Sequence, residues 1–571
     1  MVKKQNKRNI KKYHITEFII ILIILILTNY VASFVFGRFD LTADKRYTIS
    51  NTTKDYLKKL DDIVYFKVYL NDDNLPYDFQ RLRNSIKEML DEFRVYGKDN
   101  IQYDFINPTE SNNKKTINKI YKQLYDKGLT PANISEKNKD GSTSQQILFP
   151  GALVSYKNKE IAIDFFKDNA ELSSVQNLNN SIQDLEYTLT NAIHKLQTIE
   201  KPKIAFIYGH KELDAPYVAD LTKSLQEFYD VDRVKINKQL HALDNYNLII
   251  IAKPDSFVDK YDKFIIDQFI MKGGKSFWLY DPVNANLDSL AYLPYTLAQI
   301  RKTNIDDLLF NYGVRVDPNL IQDMQCAVIP VNTAIAGMPP KFEPAPWIFY
   351  PLINPDGTHP INKNLNIIKT QFVSTIDTVG EDKNIKKTFL LRTSKFSRVI
   401  NAPARISLDI LNKEPDPRIF TKHNLPIAVL LEGKFQSLFK NRLTPEIENN
   451  KDIAFKKDSK PTKMIVVSDG DIIKNNLRRR GKNYIPYPLG YDRYTRQMFG
   501  NKEFALNCIN YLLDDSGIMN VRKHNFKLRL LDRVKSNNER LFWQLINIIL
   551  PLLFIIIIGI IINIIRKRKY A

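Results

Sequence analysis

The chain has 571 residues and a formal charge of +21, with 44% hydrophobic and 26% charged residues. Two cysteines, Cys326 and Cys508, exclude a disulfide framework, and no C-x-x-C or H-E-x-x-H spacing offers a zinc site. The basic balance comes without an RRM-, zinc- or helix-turn-helix-like signature, so no nucleic acid is implied.

The first predicted element is an apolar run over 15–36, long enough to cross a hydrocarbon core of about 30 Å as a helix. Lys3, Lys4, Lys7, Arg8, Lys11 and Lys12 precede it. A second run over 542–565 is followed by Arg566, Lys567, Arg568 and Lys569. The positive-inside rule puts both basic tails, 1–14 and 566–571, in the cytoplasm and the body on the far side of the membrane. The first run can instead be read as a cleaved signal peptide. Its apolar core is longer than the usual ~7–15 residues, and Val35-Phe36-Gly37-Arg38-Phe39 is a poor cleavage site, which favours an uncleaved anchor.

Residues 37–200 read as a first α/β domain. Ser50 can cap a helix through Tyr56, Leu57 and Leu60. A strand is predicted over 63–70, a helix over 79–96, a strand over 101–106 and a helix near 117–125. Strands over 147–156 and 160–164 follow, then one helix over 175–199. This order resembles a thioredoxin-like fold in architecture only, since the redox C-x-x-C is absent.

Residues 201–526 read as a Rossmann-like domain. Strands over 203–208, 231–236, 247–253 and 275–280 alternate with helices over 217–229 and 261–271, which implies a parallel sheet. A further strand over 463–468 and a helix over 502–513 come much later. Between them, 291–461 is Pro-rich with short β-like pieces and reads as an insertion. A charged linker helix over 527–541 leads into the second span. That span carries Trp543, Gln544, Asn547, Pro551 and Asn563. Asn547 lies about one turn inside the outer edge, where an amide costs free energy unless a partner helix or headgroup water bonds it.

No catalytic residue, cofactor or metal site is expected. Lys272-Gly273-Gly274-Lys275-Ser276 imitates the end of a P-loop, but Phe269 stands where the first glycine belongs. The segment also precedes a strand rather than following one, so it reads as a helix C-cap and turn. A G-x-S-x-G elbow is missing. Gly209, His210 and Glu212 follow the first strand of the second domain, where doubly wound folds bind ligands. They read as a ligand or anion site or as a polar strand-to-helix turn. Asp469 and Asp471 also end a strand. Two carboxylates there can hold a cation, and turn chemistry explains Asp-Gly-Asp equally well. Cys508 lies in a helical apolar pattern and reads as a buried small side chain; its pairing with Cys326 stays open.

Several stretches together resemble the gliding-motility-associated ABC transporter component GldG of Bacteroidetes. They are Lys45-Arg46-Tyr47-Thr48-Ile49-Ser50, Ile266-Asp267-Gln268-Phe269-Ile270-Met271-Lys272-Gly273-Gly274-Lys275, His359-Pro360-Ile361-Asn362, Leu431-Glu432-Gly433-Lys434-Phe435-Gln436-Ser437, Ser468-Asp469-Gly470-Asp471-Ile472-Ile473 and Pro488-Leu489-Gly490. The resemblance implies a non-enzymatic auxiliary subunit working with a separate cytoplasmic ATPase and a multi-span permease in the bilayer. It also implies an α/β domain of amidotransferase-like Rossmann type, similar to one in an intraflagellar transport subunit. This chain departs from the family where a Gly-His-Gly-Glu turn reads Gly-His-Lys-Glu. The alternatives are a periplasmic ligand-capturing receptor and, less favoured, a periplasmic hydrolase.

Overall fold

A computed structural model describes residues 15–29, 48–72, 75–110, 113–137, 143–167, 173–198, 200–334, 338–380, 383–481, 483–523 and 539–570. The chain forms two compact units, Met1–His524 and Asn525–Ala571. The basic tail 1–14, residues 30–36 of the first apolar run and most of the linker predicted over 527–541 lie outside the described residues.

The larger unit begins with an apolar helix, α1 (Ile15–Asn29). Helix α2 (Asn51–Lys58) is capped as expected by Ser50, whose hydroxyl accepts from the Thr53 N–H at 3.2 Å. Then come β1 (Val64–Val68), α3 (Tyr77–Gly97), β2 (Ile101–Phe105), α4 (Lys114–Asp126), β3 (Ala132–Lys137), β4 (Thr143–Leu148), β5 (Gly151–Tyr156) and β6 (Lys159–Asp164). A four-stranded sheet has the order β2-β1-β5-β6, with β1 parallel to β2 and antiparallel to β5. The strand expected over 147–156 is in fact two, because Phe149-Pro150 interrupts it: Pro lacks the N–H a ladder needs. Its first part pairs back on β3 as a separate hairpin. The helix expected over 175–199 is likewise two, α5 (Ser174–Gln183) and α6 (Leu185–Gln197), divided at the buried Asp184. Leu82, Ile86, Leu90 and Phe93 line one face of α3 at helical spacing and meet Val64, Phe66 and Val154 in a common core.

The second layer comprises β7 (Lys203–Ile207), α7 (Ala219–Gln226), β8 (Asp230–Val234), β9 (Leu248–Ala252), α8 (Lys260–Met271), β10 (Lys275–Leu279), α9 (Asp306–Asn311), β11 (Ile385–Arg392), β12 (Pro426–Gly433), β13 (Thr462–Val467) and α10 (Asn501–Leu513). The seven strands lie in the order β11-β12-β13-β10-β9-β7-β8. From β13 to β8 all are parallel; β12 and β11 are antiparallel additions. Those two strands come from inside the stretch read as an insertion. All five residues of β9 are buried, as a strand covered on both faces requires. Alternate residues point to opposite faces: Leu248 and Ile250 meet Leu221 and Leu225 of α7 and Phe504 and Cys508 of α10, whereas Ile249 and Ile251 meet Ile265 and Phe269 of α8. Both cysteines are free, and Cys508 is buried.

Helix α8 ends as expected at the glycine pair. Gly273 takes a left-handed φ of +103°, and a Cβ on Gly274 would lie 2.3 Å from the Phe269 ring. Part of the rest of the stretch, including residues of antiparallel Cys326–Asn332 and Phe342–Ile353, packs around Trp347, Phe349, Tyr350 and Phe372, while Ile321, Ile361 and Val373 join the sheet core. In the smaller unit, α11 (Arg540–Tyr570) is the one described helix long and apolar enough to cross a membrane, over Arg540–Ile565. α1 as described has 15 residues, roughly 22 Å at ~1.5 Å per residue.

Candidate functional site at the strand ends

The carboxyl ends of β9, β10 and β13 come together, and each delivers charge. Lys253 follows β9 at a left-handed φ of 57°, Asp281 follows β10, and Asp469-Gly470-Asp471 follows β13. Main-chain bonds hold the three ends in step: Lys253 N–H donates to Leu279 O at 2.8 Å and Tyr280 N–H to Val467 O at 2.9 Å. The Lys253 ammonium lies between two carboxylates, 3.2 Å from Asp281 and in a short bond with Asp471. Lys474 pairs with the other Asp471 oxygen at 3.3 Å. Asp469 accepts from the Gln371 N–H at 2.9 Å and the Asp471 N–H at 2.8 Å, and the Gly470 N–H donates to Asp281. Glycine is required at 470, because a Cβ there would lie 2.6 Å from Cγ of Lys253.

Burial sets the electrostatics. It opposes the Lys253 charge, but Asp281 and Asp471 outweigh it and hold the ammonium above its usual range. Burial also opposes the Asp471 charge; Lys253 and then Lys474 reverse this and lower its pKa. Asp469 is raised well above the carboxylate range by burial, then by Asp281 and Asp471. The place a cation would take between Asp281 and Asp471 is filled by the Lys253 ammonium. The cluster is therefore an ionic lock on the strand ends.

The second expected set forms a separate network. His210 is buried, its Nδ1 3.1 Å from Glu212 Oε1 and its Nε2 3.1 Å from Asp262 Oδ2. The His210 N–H donates to Glu212 Oε2 at 2.7 Å, and the His210 carbonyl accepts from the N–H groups of Asp255 and Ser256, both at 2.9 Å. Burial disfavours the imidazolium, but Glu212 and Asp262 prevail and raise its pKa above 6.5. Gly209, His210 and Glu212 thus form a cross-braced turn. A raised folded pKa stabilises below the unfolded value and is lost as pH rises through the folded one. Glu212→Gln should lower the His210 midpoint in an NMR titration and flatten the stability loss as pH rises above 6.5. An unmoved midpoint would mean that the carboxylate does not hold the ring.

Sequence reading found Asp469 and Asp471 but missed Lys253, Asp281 and Asp262. The available signal was a charged residue at or just past the end of each apolar run, Lys253 after LIIIA and Asp281 after KSFWLY. Asp262 lies inside α8 and gives no such sign. On α11, Gln544, Asn547 and Pro551 share one face by their spacing, and Trp543 donates to Glu539 at 3.0 Å. Asn563 lies nearer the other end of that helix.

Residues 201–508 match the family of the ABC-type uncharacterized transport system. The chain belongs to that family. Its members are auxiliary components of ABC transport systems, so the role is transport-associated. Residues 43–155 match a domain of unknown function. An uncharacterized protein of Borreliella burgdorferi is 22% identical over 548 residues, covering 93% of this chain and 94% of that one. Among solved structures, the mmIFT52 N-terminal domain is 15% identical with a TM-score of 0.30, covering 54% of this chain and 96% of that one. A ThuA-like protein from Parabacteroides merdae is 13% identical with a TM-score of 0.24, covering 55% and 90%. At such TM-scores neither likeness carries an argument here.

Proposed function

We propose that the chain is a non-enzymatic auxiliary subunit that couples a multi-span permease and a separate cytoplasmic ATPase to the periplasm. In this reading a helix at each end anchors it in the inner membrane, both termini are cytoplasmic, and the body is periplasmic. The first α/β layer is thioredoxin-like in architecture and the second amidotransferase-like. The finer assignment, to a gliding-motility or secretion system, rests on the motifs shared with GldG. The observation that carries the proposal is the family match over 201–508 in a chain that ends in a 26-residue apolar helix. The filled strand-end crevice supports a coupling role over ligand capture at that place, because the ammonium sits where a ligand or cation would.

The face of α11 bearing Gln544, Asn547 and Pro551 is assigned to the permease. Interhelical amide bonds of this kind contribute about 0.6–2 kcal/mol. Purification of the full chain from native membranes in mild detergent should bring down a permease and an ATPase. A chimera with 542–565 replaced by an unrelated apolar helix should stay in the membrane and lose both. Retention of both partners by the chimera would reduce the helix to an anchor. Their absence from the native preparation would overturn the subunit role. Protease added to spheroplasts should degrade the body; a body that survives until the membrane is lysed reverses the orientation.

A further inference from the structure

A cavity of about 230 Å³ lies between α6 and the segment after α10, away from the strand-end cluster. Asn191, His194 and Lys195 of α6 line it. Their i, i+3, i+4 spacing puts them on one helix face. Among the described residues, none of these three side chains has a hydrogen-bond or ion-pair partner. Lys195 instead sits with its ammonium 3.4 Å from the centre of the Phe228 ring. Burial pushes that ammonium down to about 8, against the attraction of Glu227. Burial likewise lowers the pKa of His194, against the attraction of Asp514.

The carboxylates lining the cavity are already engaged. Asp514 accepts from the N–H groups of Ser516, Gly517 and Met519 at 3.0, 2.8 and 2.7 Å and from the Ser516 hydroxyl at 2.6 Å. Asp515 pairs with Lys275 at 3.1 Å. The remaining wall is largely apolar, with Leu513, Ile518 and Met519. Among the described residues the cavity thus presents an ammonium with no ion-pair partner, an amide with no hydrogen-bond partner and an apolar wall. A dry cavity of about 150 Å³ holds benzene, so this one suits a ligand on the order of nine non-hydrogen atoms.

We infer that this cavity binds a small monocarboxylate of benzoate or hexanoate size, its carboxylate on Lys195 and Asn191 and its apolar part against Leu513, Ile518 and Met519. The ligand carboxylate gives Lys195 the ion pair, and Asn191 the hydrogen bond, that neither has among the described residues. A long-chain fatty acid does not fit the volume. The inference does not depend on the transport role: the ligand can bind whether or not a permease is present.

The test uses the full chain in lipid nanodiscs, titrated with benzoate, hexanoate, benzamide and myristate by calorimetry. One equivalent of benzoate or hexanoate should bind, with benzamide at least tenfold weaker and myristate giving no saturable site. Lys195→Met should weaken benzoate at least tenfold, while Lys195→Arg should retain it. If Lys195→Met fails to fold, Asn191→Leu and the titration of Lys195 in ¹³C-methylated protein replace it; benzoate should then raise the Lys195 midpoint. Equal binding of benzoate and benzamide, no binding of either acid, or a Lys195 midpoint indifferent to benzoate overturns the inference.

Discussion

Lys253→Met is expected to cost about 3–5 kcal/mol of unfolding free energy at pH 7, the range for removing one partner of a buried ion pair. Methionine keeps the volume, so the loss is electrostatic: Asp281 stays buried without its ammonium, and Asp471 keeps only Lys474, at 3.3 Å. The sign of the pH dependence follows from the shifts. Asp471 is lowered in the fold, so its contribution is present above its unfolded pKa and lost as pH falls through the folded value. Lys253 is raised, so its contribution holds below its unfolded pKa and is lost as pH rises through the folded value. In the variant these under-compensated carboxylates protonate more readily and become neutral acids in acid solution. The gap between wild type and variant should therefore be widest at pH 7–8 and narrow toward pH 4. Urea unfolding followed by circular dichroism at both pH values measures it. A cost that is the same at both would show that lost packing, not the under-compensated carboxylates, dominates.

The same cluster shows what the sequence could and could not convey. The runs at 248–252, 275–279 and 462–467 were legible because a strand buried on both faces needs continuous apolar residues. Helix α8 was legible from its period and its glycine pair. Strands β3 and β4 were not, because ANISEK and a largely polar TSQQIL carry little β propensity and pair only with each other. The break at Asp184 was hidden because apolar spacing runs through it on both sides. β11 and β12 lie in a Pro-rich stretch, and nothing local marks them as the antiparallel continuation of a parallel sheet. Asp469 and Asp471 stood out as a dipeptide pattern around one glycine. Lys253 and Asp281 did not, since their partnership spans about 30 to 220 positions and exists only once three strand ends are aligned.

Arg522→Met should have a comparable effect, of about 3–5 kcal/mol, by a different route. Arg522 is fully buried two residues before the end of the larger unit. Its guanidinium donates to Pro360 O at 3.1 Å and Lys363 O at 2.7 Å and lies 3.4 Å from Asp184 Oδ2. It also stacks 4.9 Å from the Tyr187 ring centre, while Lys363 donates back to the Arg522 carbonyl. One side chain thus joins the α5–α6 junction of the first layer to residues 360–363 beside the second. Met cannot donate to the two carbonyls and leaves Asp184 without its cation. Asp184→Asn removes only the charge and keeps both carbonyl bonds, so it should cost less. If the ion pair were the whole effect, the two variants and the double variant would cost about the same. Hydrogen exchange supplies the second readout: amides of Ile518–Lys523 should lose protection in Arg522→Met and largely keep it in Asp184→Asn. Unchanged protection in Arg522→Met would show that this arginine does not hold the segment, and the reading of it as the clasp between the layers would fail.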